Sequence, residues 1–125
     1  MTVDDLTAAI TDMYRSLGDR SAFDARLHPR LTIWESDAPE LLDGLAALDE
    51  LRDRRAADRG PGAPPTSVAP EQVRGEAWGD TGLVRYVLRA RYEAGRPDDC
   101  FRVTDVLRRD ERGWRIVHHH AEALR

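Results

Sequence analysis

Cys100-Phe101-Arg102-Val103-Thr104-Asp105-Val106-Leu107, a charged turn over 108–113, and then Trp114-Arg115-Ile116-Val117-His118-His119-His120 read as the two strands of a hairpin. Alternate residues of a strand share a face, so Phe101, Val103, Asp105 and Leu107 lie opposite Cys100, Arg102, Thr104 and Val106. By the same rule Trp114, Ile116, His118 and His120 take one side of the second strand, and Arg115, Val117, His119 and Ala121 the other. Neither side is purely polar. A sheet of this kind needs two coverings, its own helices on one face and a partner subunit or second layer on the other.

Working outward, residues 83–93 form a third strand. Val84, Tyr86, Leu88, Ala90 and Tyr92 make an apolar face with two phenols, against an arginine-rich face of Arg85, Arg89 and Arg91. The apolar face is expected to meet the helices. Residues 67–78 read as a strand before the Gly79-Asp80-Thr81-Gly82 turn, and Gly95-Arg96-Pro97-Asp98 turns the chain into the hairpin. Ahead of the sheet, Val3, Leu6, Ile10, Met13 and Leu17 recur at steps of three and four behind a Thr2/Asp5 capping pair, giving a first helix that Gly18 ends. A short second helix capped by Asp19 or Ser21 stops near His28 because Pro29 follows, and 30–35 alternates as a brief strand. After a Pro39-containing loop, Leu42, Leu45, Leu48 and Leu51 give a third helix its buried edge. The Gly60-Pro61-Gly62-Ala63-Pro64-Pro65 run reads as a surface loop. The expected architecture is α+β, one domain over 1–125, with a curved antiparallel sheet folded around three N-terminal helices.

Composition removes whole classes of chemistry. With 125 residues the chain can build one core. A net charge of -4 with no basic block argues against a nucleic-acid binder. One cysteine, no apolar run of spanning length and no leader-like start point to a cytoplasmic protein without disulfides or a membrane segment. All 19 basic residues are arginine, so a lysine Schiff base and a P-loop lysine are both impossible. This arginine-only usage suggests a GC-rich bacterial genome. No dinucleotide or nucleophile-elbow motif is present. Acid–base chemistry with His, Asp, Glu, Tyr and Arg remains, and no cofactor is expected.

The order of elements, with Arg102-Val103-Thr104-Asp105-Val106-Leu107-Arg108-Arg109, a turn, and 114–120, resembles the SnoaL-like branch of the nuclear transport factor 2-like superfamily. Tyr14, Phe23, residues 27–32, Trp34-Glu35 and Leu42-Asp43-Gly44 are similar to the association domain of calcium/calmodulin-dependent kinase II, a member of the same superfamily. The resemblance implies a cone: a bent sheet around the helices, a pocket inside, and an outer face used for dimerisation. The superfamily includes isomerases, cyclases, dehydratases and non-catalytic proteins, so the fold alone does not choose a reaction. Matching the strands to the association domain puts its pocket arginines at Leu88, Thr104 and Ala121, none of them Arg, and makes Tyr86, Tyr92, Arg102, Thr104 and His119 the inward polar set. Tyr14, Trp34 and Glu35 would reach the mouth or wall.

On that alignment, His119, Tyr86 and Arg102 are the catalytic candidates, and Tyr14, Trp34, Leu88, Tyr92 and Thr104 the ligand contacts. His119 would exchange a proton near neutral pH, or else merely hydrogen-bond within a semi-polar cavity. Tyr86 and Tyr92 would steady an oxyanion, or else sit in the core with their hydroxyls satisfied. An inward Arg102 would need an anionic ligand or a wall carboxylate such as Glu35 or Asp37. His118 and His120 could hold a metal as an HxH pair, but no third ligand is evident and none is expected. Trp114, Ile116, His118 and His120 would instead form a homodimer interface. Two function classes result: a cofactor-independent isomerase, cyclase or dehydratase acting on a hydrophobic hydroxylated or carbonyl metabolite such as a polyketide, and a non-catalytic dimeric binding or association module.

Overall fold

The structure, a computed structural model, describes residues 3–59 and 64–124. Helices α1 (Val3–Arg15) and α2 (Arg20–Asp24) precede strands β1 (Leu27–Trp34) and β2 (Leu42–Asp43), and helix α3 (Leu45–Arg59) follows. Four long strands complete the chain: β3 (Ser67–Trp78), β4 (Thr81–Arg91), β5 (Asp99–Asp110) and β6 (Gly113–Leu124). They build one sheet in the order β2-β1-β6-β5-β4-β3. Every neighbouring pair is antiparallel except β1 with β6, which run parallel. The expected α+β arrangement is found, and the sheet is mixed and open, where a wholly antiparallel one was expected.

Local chemistry explains most boundaries. The stripe on α1 buries Leu6, Ala9, Ile10, Met13 and Tyr14, and Gly18 at φ 100° lets the chain reverse after it. Asp19 caps α2 by accepting from the Ala22 N–H at 3.1 Å. The capping residue Thr2 and the Gly60-Pro61-Gly62-Ala63 part of the loop lie outside the described residues. Strand β1 begins earlier than expected and runs through Pro29; the β1/β6 ladder skips from Leu27 to Thr32, so the missing proline N–H breaks no pairing. Leu42 belongs to β2, opposite Ile33, and not to the third helix. Gly44 separates the two at φ 89°, donating its N–H to the Leu31 carbonyl at 2.8 Å.

A single inserted residue decides which way β6 faces. Leu107 pairs with Ile116 and Val106 with His118, leaving Val117 unpaired in a bulge. The bulge resets the alternation, so Trp114 and Ile116 before it share the inner face with His119 and Ala121 after it. Trp114 and Ile116 are core residues, 4% and 1% exposed, and the expected interface role for these two is corrected on that ground. His118 and His120 do point away from the core, opposite Val106 and Thr104.

The inner face of β5 is also corrected. Val103, Asp105 and Leu107 are buried, in line across the sheet with inward Tyr86, Val84 and Gly82. Arg102 and Thr104 therefore lie on the outer face. Arg102 is solvent-exposed with its guanidinium 3.7 Å from Glu122.

Candidate functional site

Asp105 sits at the centre of the inner face with no exposed surface. It stands between Val84 on β4 and His119 on β6, and each carboxylate oxygen has its own donor. Tyr86 donates to Oδ2 at 2.6 Å, and Nδ1 of His119 meets Oδ1 at 2.5 Å. Because the only Tyr86 hydroxyl proton is committed to Asp105, the Tyr14 hydroxyl must donate to Tyr86 across 2.8 Å. Tyr14, at the end of α1, thus retains a free acceptor position on its oxygen. A buried carboxylate is tolerable only with partners of this kind.

The other imidazole nitrogen continues the chain of contacts. His119 Nε2 lies 3.6 Å from Glu35 Oε1, and Glu35 Oε2 lies 3.1 Å from Arg55 Nη2 on α3. Arg55 also binds Asp37 through two hydrogen bonds of 2.8 and 2.7 Å, which holds the Asp37 carboxyl below its ordinary range. Glu35 follows the last residue of β1 and continues the inward alternation of Leu31 and Ile33.

Charge follows from these positions. Burial pushes the His119 imidazole toward its neutral form, but the charge of Asp105, its hydrogen bond and the charge of Glu35 outweigh burial and raise the pKa above the ordinary histidine value. Burial, with the neighbouring Asp105 charge, drives both Tyr14 and Tyr86 well above the ordinary phenol value, so both remain protonated donors. His118, on the other face, is shifted down by burial and by the adjacent His120 and His119. His119 is thereby the imidazole whose protonated form its surroundings favour.

The imidazole opens onto a cavity of about 390 Å³ lined by Tyr14, Glu35, Leu88, Ile116, His119 and further apolar side chains of α1, β1 and α3. A wider outer space of about 840 Å³ shares the walls Tyr14, Phe23, Arg52, Arg55 and Val68. Volume and lining suit a small organic ligand. Among the described residues no group of three or more His, Cys, Asp or Glu is placed to hold a metal ion.

Of the residues expected at the site, the structure brings together Tyr14, Tyr86, Leu88 and His119. Four others lie elsewhere. Arg102 and Thr104 are on the outer face. Trp34, 43% exposed, shares that face beside His120. Tyr92 lies beyond β4 and donates to Asp99 at 2.7 Å, with the Arg96 guanidinium 3.7 Å above its ring. Asp105 was missed as a site residue, although its position on a strand face with Phe101, Val103 and Leu107 signals a buried carboxylate.

Comparison with known proteins bears on fold and family. The hub of S. rosetta CaMKII superposes with TM-score 0.80 at 20% identity, covering 99% of this chain and 98% of that one. An NTF2-like protein of unknown function from Pseudomonas putida KT2440 gives TM-score 0.82 at 17% identity, covering 98% and 86%. A candidate dehydratase of the NTF2-like family from Streptomyces avermitilis gives TM-score 0.73 at 19% identity, covering 98% and 96%. These likenesses establish the NTF2-like fold. No curated protein matches the sequence at a significant level. The family model described as a SnoaL-like domain matches residues 3–123, and the chain belongs to the SnoaL-like domain family.

Proposed function

We propose that this protein is a cofactor-independent acid–base enzyme, an isomerase, cyclase or dehydratase, acting on a hydrophobic hydroxylated or carbonyl compound of polyketide type. The observation that carries the reading is the alignment Asp105–His119–Glu35 opening onto a largely apolar cavity. Asp105 fixes the imidazole so that Nε2 presents its proton to the cavity, the orienting role a carboxylate plays behind a catalytic histidine. Glu35 is the second group within reach of a bound ligand.

For a dehydration, Glu35 takes the proton from the carbon next to a carbonyl while His119 gives its Nε2 proton to the β-hydroxyl. The C–H electron pair becomes the new double bond, the C–O bond breaks and water leaves. The proton on Glu35 then returns to His119 across the 3.6 Å gap. For an isomerisation the same two groups remove a proton from one carbon and deliver it elsewhere on the dienol. The Streptomyces avermitilis neighbour, described as a candidate dehydratase, fits the first form.

Two further parts belong to this reading. The outer face carries Thr32, Trp34, Thr104, Val106, His118 and His120, a half-exposed surface with one large indole, and a second copy of the chain covers it in a homodimer. A cytoplasmic location accords with the finding that no helix among the described residues is long and apolar enough to cross a membrane.

The second reading, a non-catalytic association module, draws on that same indole-bearing face and on the likeness to CaMKII hubs. Native mass spectrometry of protein purified from its own host separates the two. A dimer carrying a defined extra mass supplies a compound to assay, and its turnover by the native protein but not by His119→Ala establishes the enzyme. Ligand-free oligomers without turnover of oxygenated ring compounds establish the association module.

A further inference from the structure

The guanidinium groups that line the cavity and its outer space are all engaged by carboxylates. Arg55 spans Glu35 and Asp37 at 3.1 and 2.7 Å. Arg52 is held by Asp24 through bonds of 3.0 and 2.7 Å and by Asp49 at 3.1 Å, and Arg20 lies 3.6 Å from Asp49. His119, the remaining basic group of the lining, stands between Asp105 and Glu35. These four basic groups are matched by five carboxylates, Glu35, Asp37, Asp24, Asp49 and Asp105, and among the described residues no cation of the lining is without a carboxylate beside it.

We infer that the cavity selects by charge, accepting an uncharged ring compound and rejecting a carboxylate or phosphate of the same shape. The inference rests on the reading of the cavity as a substrate site but requires no particular reaction. An anion would have to take Arg55 away from Glu35, whose side chain is only 13% exposed, leaving that carboxylate without its partner in a poorly solvated wall. Left in place, Glu35, which lines the cavity, repels it across a medium that screens far less than water. A neutral carbonyl or hydroxyl meets none of this. It can accept from His119 Nε2, or donate to Glu35 or to the open acceptor position on the Tyr14 oxygen, while its ring packs on Leu31, Leu48, Leu88 and Ile116.

The test uses a pair of equal size, 2-naphthamide and 2-naphthoate, titrated calorimetrically into the full chain at pH 7. The amide is expected to bind, and the carboxylate to bind at least about tenfold more weakly, as like-charge repulsion in a partly desolvated site requires. In Glu35→Gln the gap should narrow, because one facing charge is removed and Arg55 is partly released. Equal or tighter binding of naphthoate overturns the inference, as does failure of naphthamide to bind. An unchanged gap in a folded Glu35→Gln protein overturns the part assigned to Glu35; if that variant does not fold, the native pair decides. Since only binding is read, selective binding by a protein that turns nothing over would sink the enzymatic reading and leave charge selection standing.

Discussion

Asp105 and His119 face one another across β5 and β6 in register, and the carboxylate meets the imidazole at 2.5 Å between Oδ1 and Nδ1. This contact orients the ring and sets its charge. The opposing influences on His119, burial against two carboxylates, predict the outcome of removing either side. In the native protein the His119 ring should titrate by NMR above the ordinary histidine value of about 6.5. In Asp105→Asn burial should prevail and the midpoint should fall markedly. A midpoint indifferent to that substitution would show that Asp105 does not control the ring.

The raised pKa has a stability consequence whose direction is fixed. Folding favours protonated His119, so its contribution is complete below the unfolded-state value near 6.5 and is lost as pH rises through the higher folded-state value. Urea midpoints measured from pH 5 to pH 9 should decline in that window, and His119→Gln should flatten the decline. A decline that persists unchanged in the variant would assign the effect to other groups.

Turnover should depend on the same contact. Once a substrate is in hand, His119→Ala is expected to lower kcat by about 10²- to 10⁴-fold, the usual contribution of a positioned acid or base. Asp105→Asn should shift the pH profile as well as lower its height, because Asp105 acts through the imidazole. Retained kcat in a folded His119→Ala protein removes the histidine from the reaction.

Tyr86→Phe deletes one of the two donors to a carboxylate that has no exposed surface. Leaving Oδ2 unsatisfied should cost about 1–3 kcal/mol in urea unfolding, and Tyr14→Phe, which takes a donor from Tyr86 only, should cost less. Equal costs would mean that the Tyr14 oxygen also accepts from a further buried donor.

Core and outer face should respond differently to substitution. Ile116→Ala truncates a side chain 1% exposed and should lose about 2–5 kcal/mol of stability. Trp34→Glu, on the outer face, should leave unfolding nearly unchanged at low concentration and turn dimers into monomers by sedimentation. A Trp34→Glu protein that still sediments as a dimer would move the interface elsewhere.

Much of this was legible in the chain. Leu6, Ile10 and Met13 of the α1 stripe, the alternation of Leu31 and Ile33, and Tyr86 of β4 are inward positions that the structure reproduces, because regular elements obey their period. Irregularities defeated the rest. One unpaired residue, Val117, exchanged the faces of Trp114 and Ile116 relative to the histidines, and no composition signal marks such an insertion. On β5 the apolar company of Asp105 pointed inward, but alignment to the association domain favoured the opposite face and with it Arg102 and Thr104. Glu35 was visible as a wall residue, but its meeting with Arg55 depends on how α3 crosses β1, a tertiary arrangement that periodicity does not encode.

The bulge at Val117 also casts the three consecutive histidines in another light. If β6 ran without the extra residue, the partner of Asp105 would be His118; with it, the partner is His119; with two extra residues it would be His120. A slip of one position in either direction, ordinarily fatal to a strand because every side chain changes sides, would still deliver an imidazole to the same carboxylate. Repetition thus keeps an imidazole opposite Asp105 under an error in counting that the hydrophobic core does not tolerate.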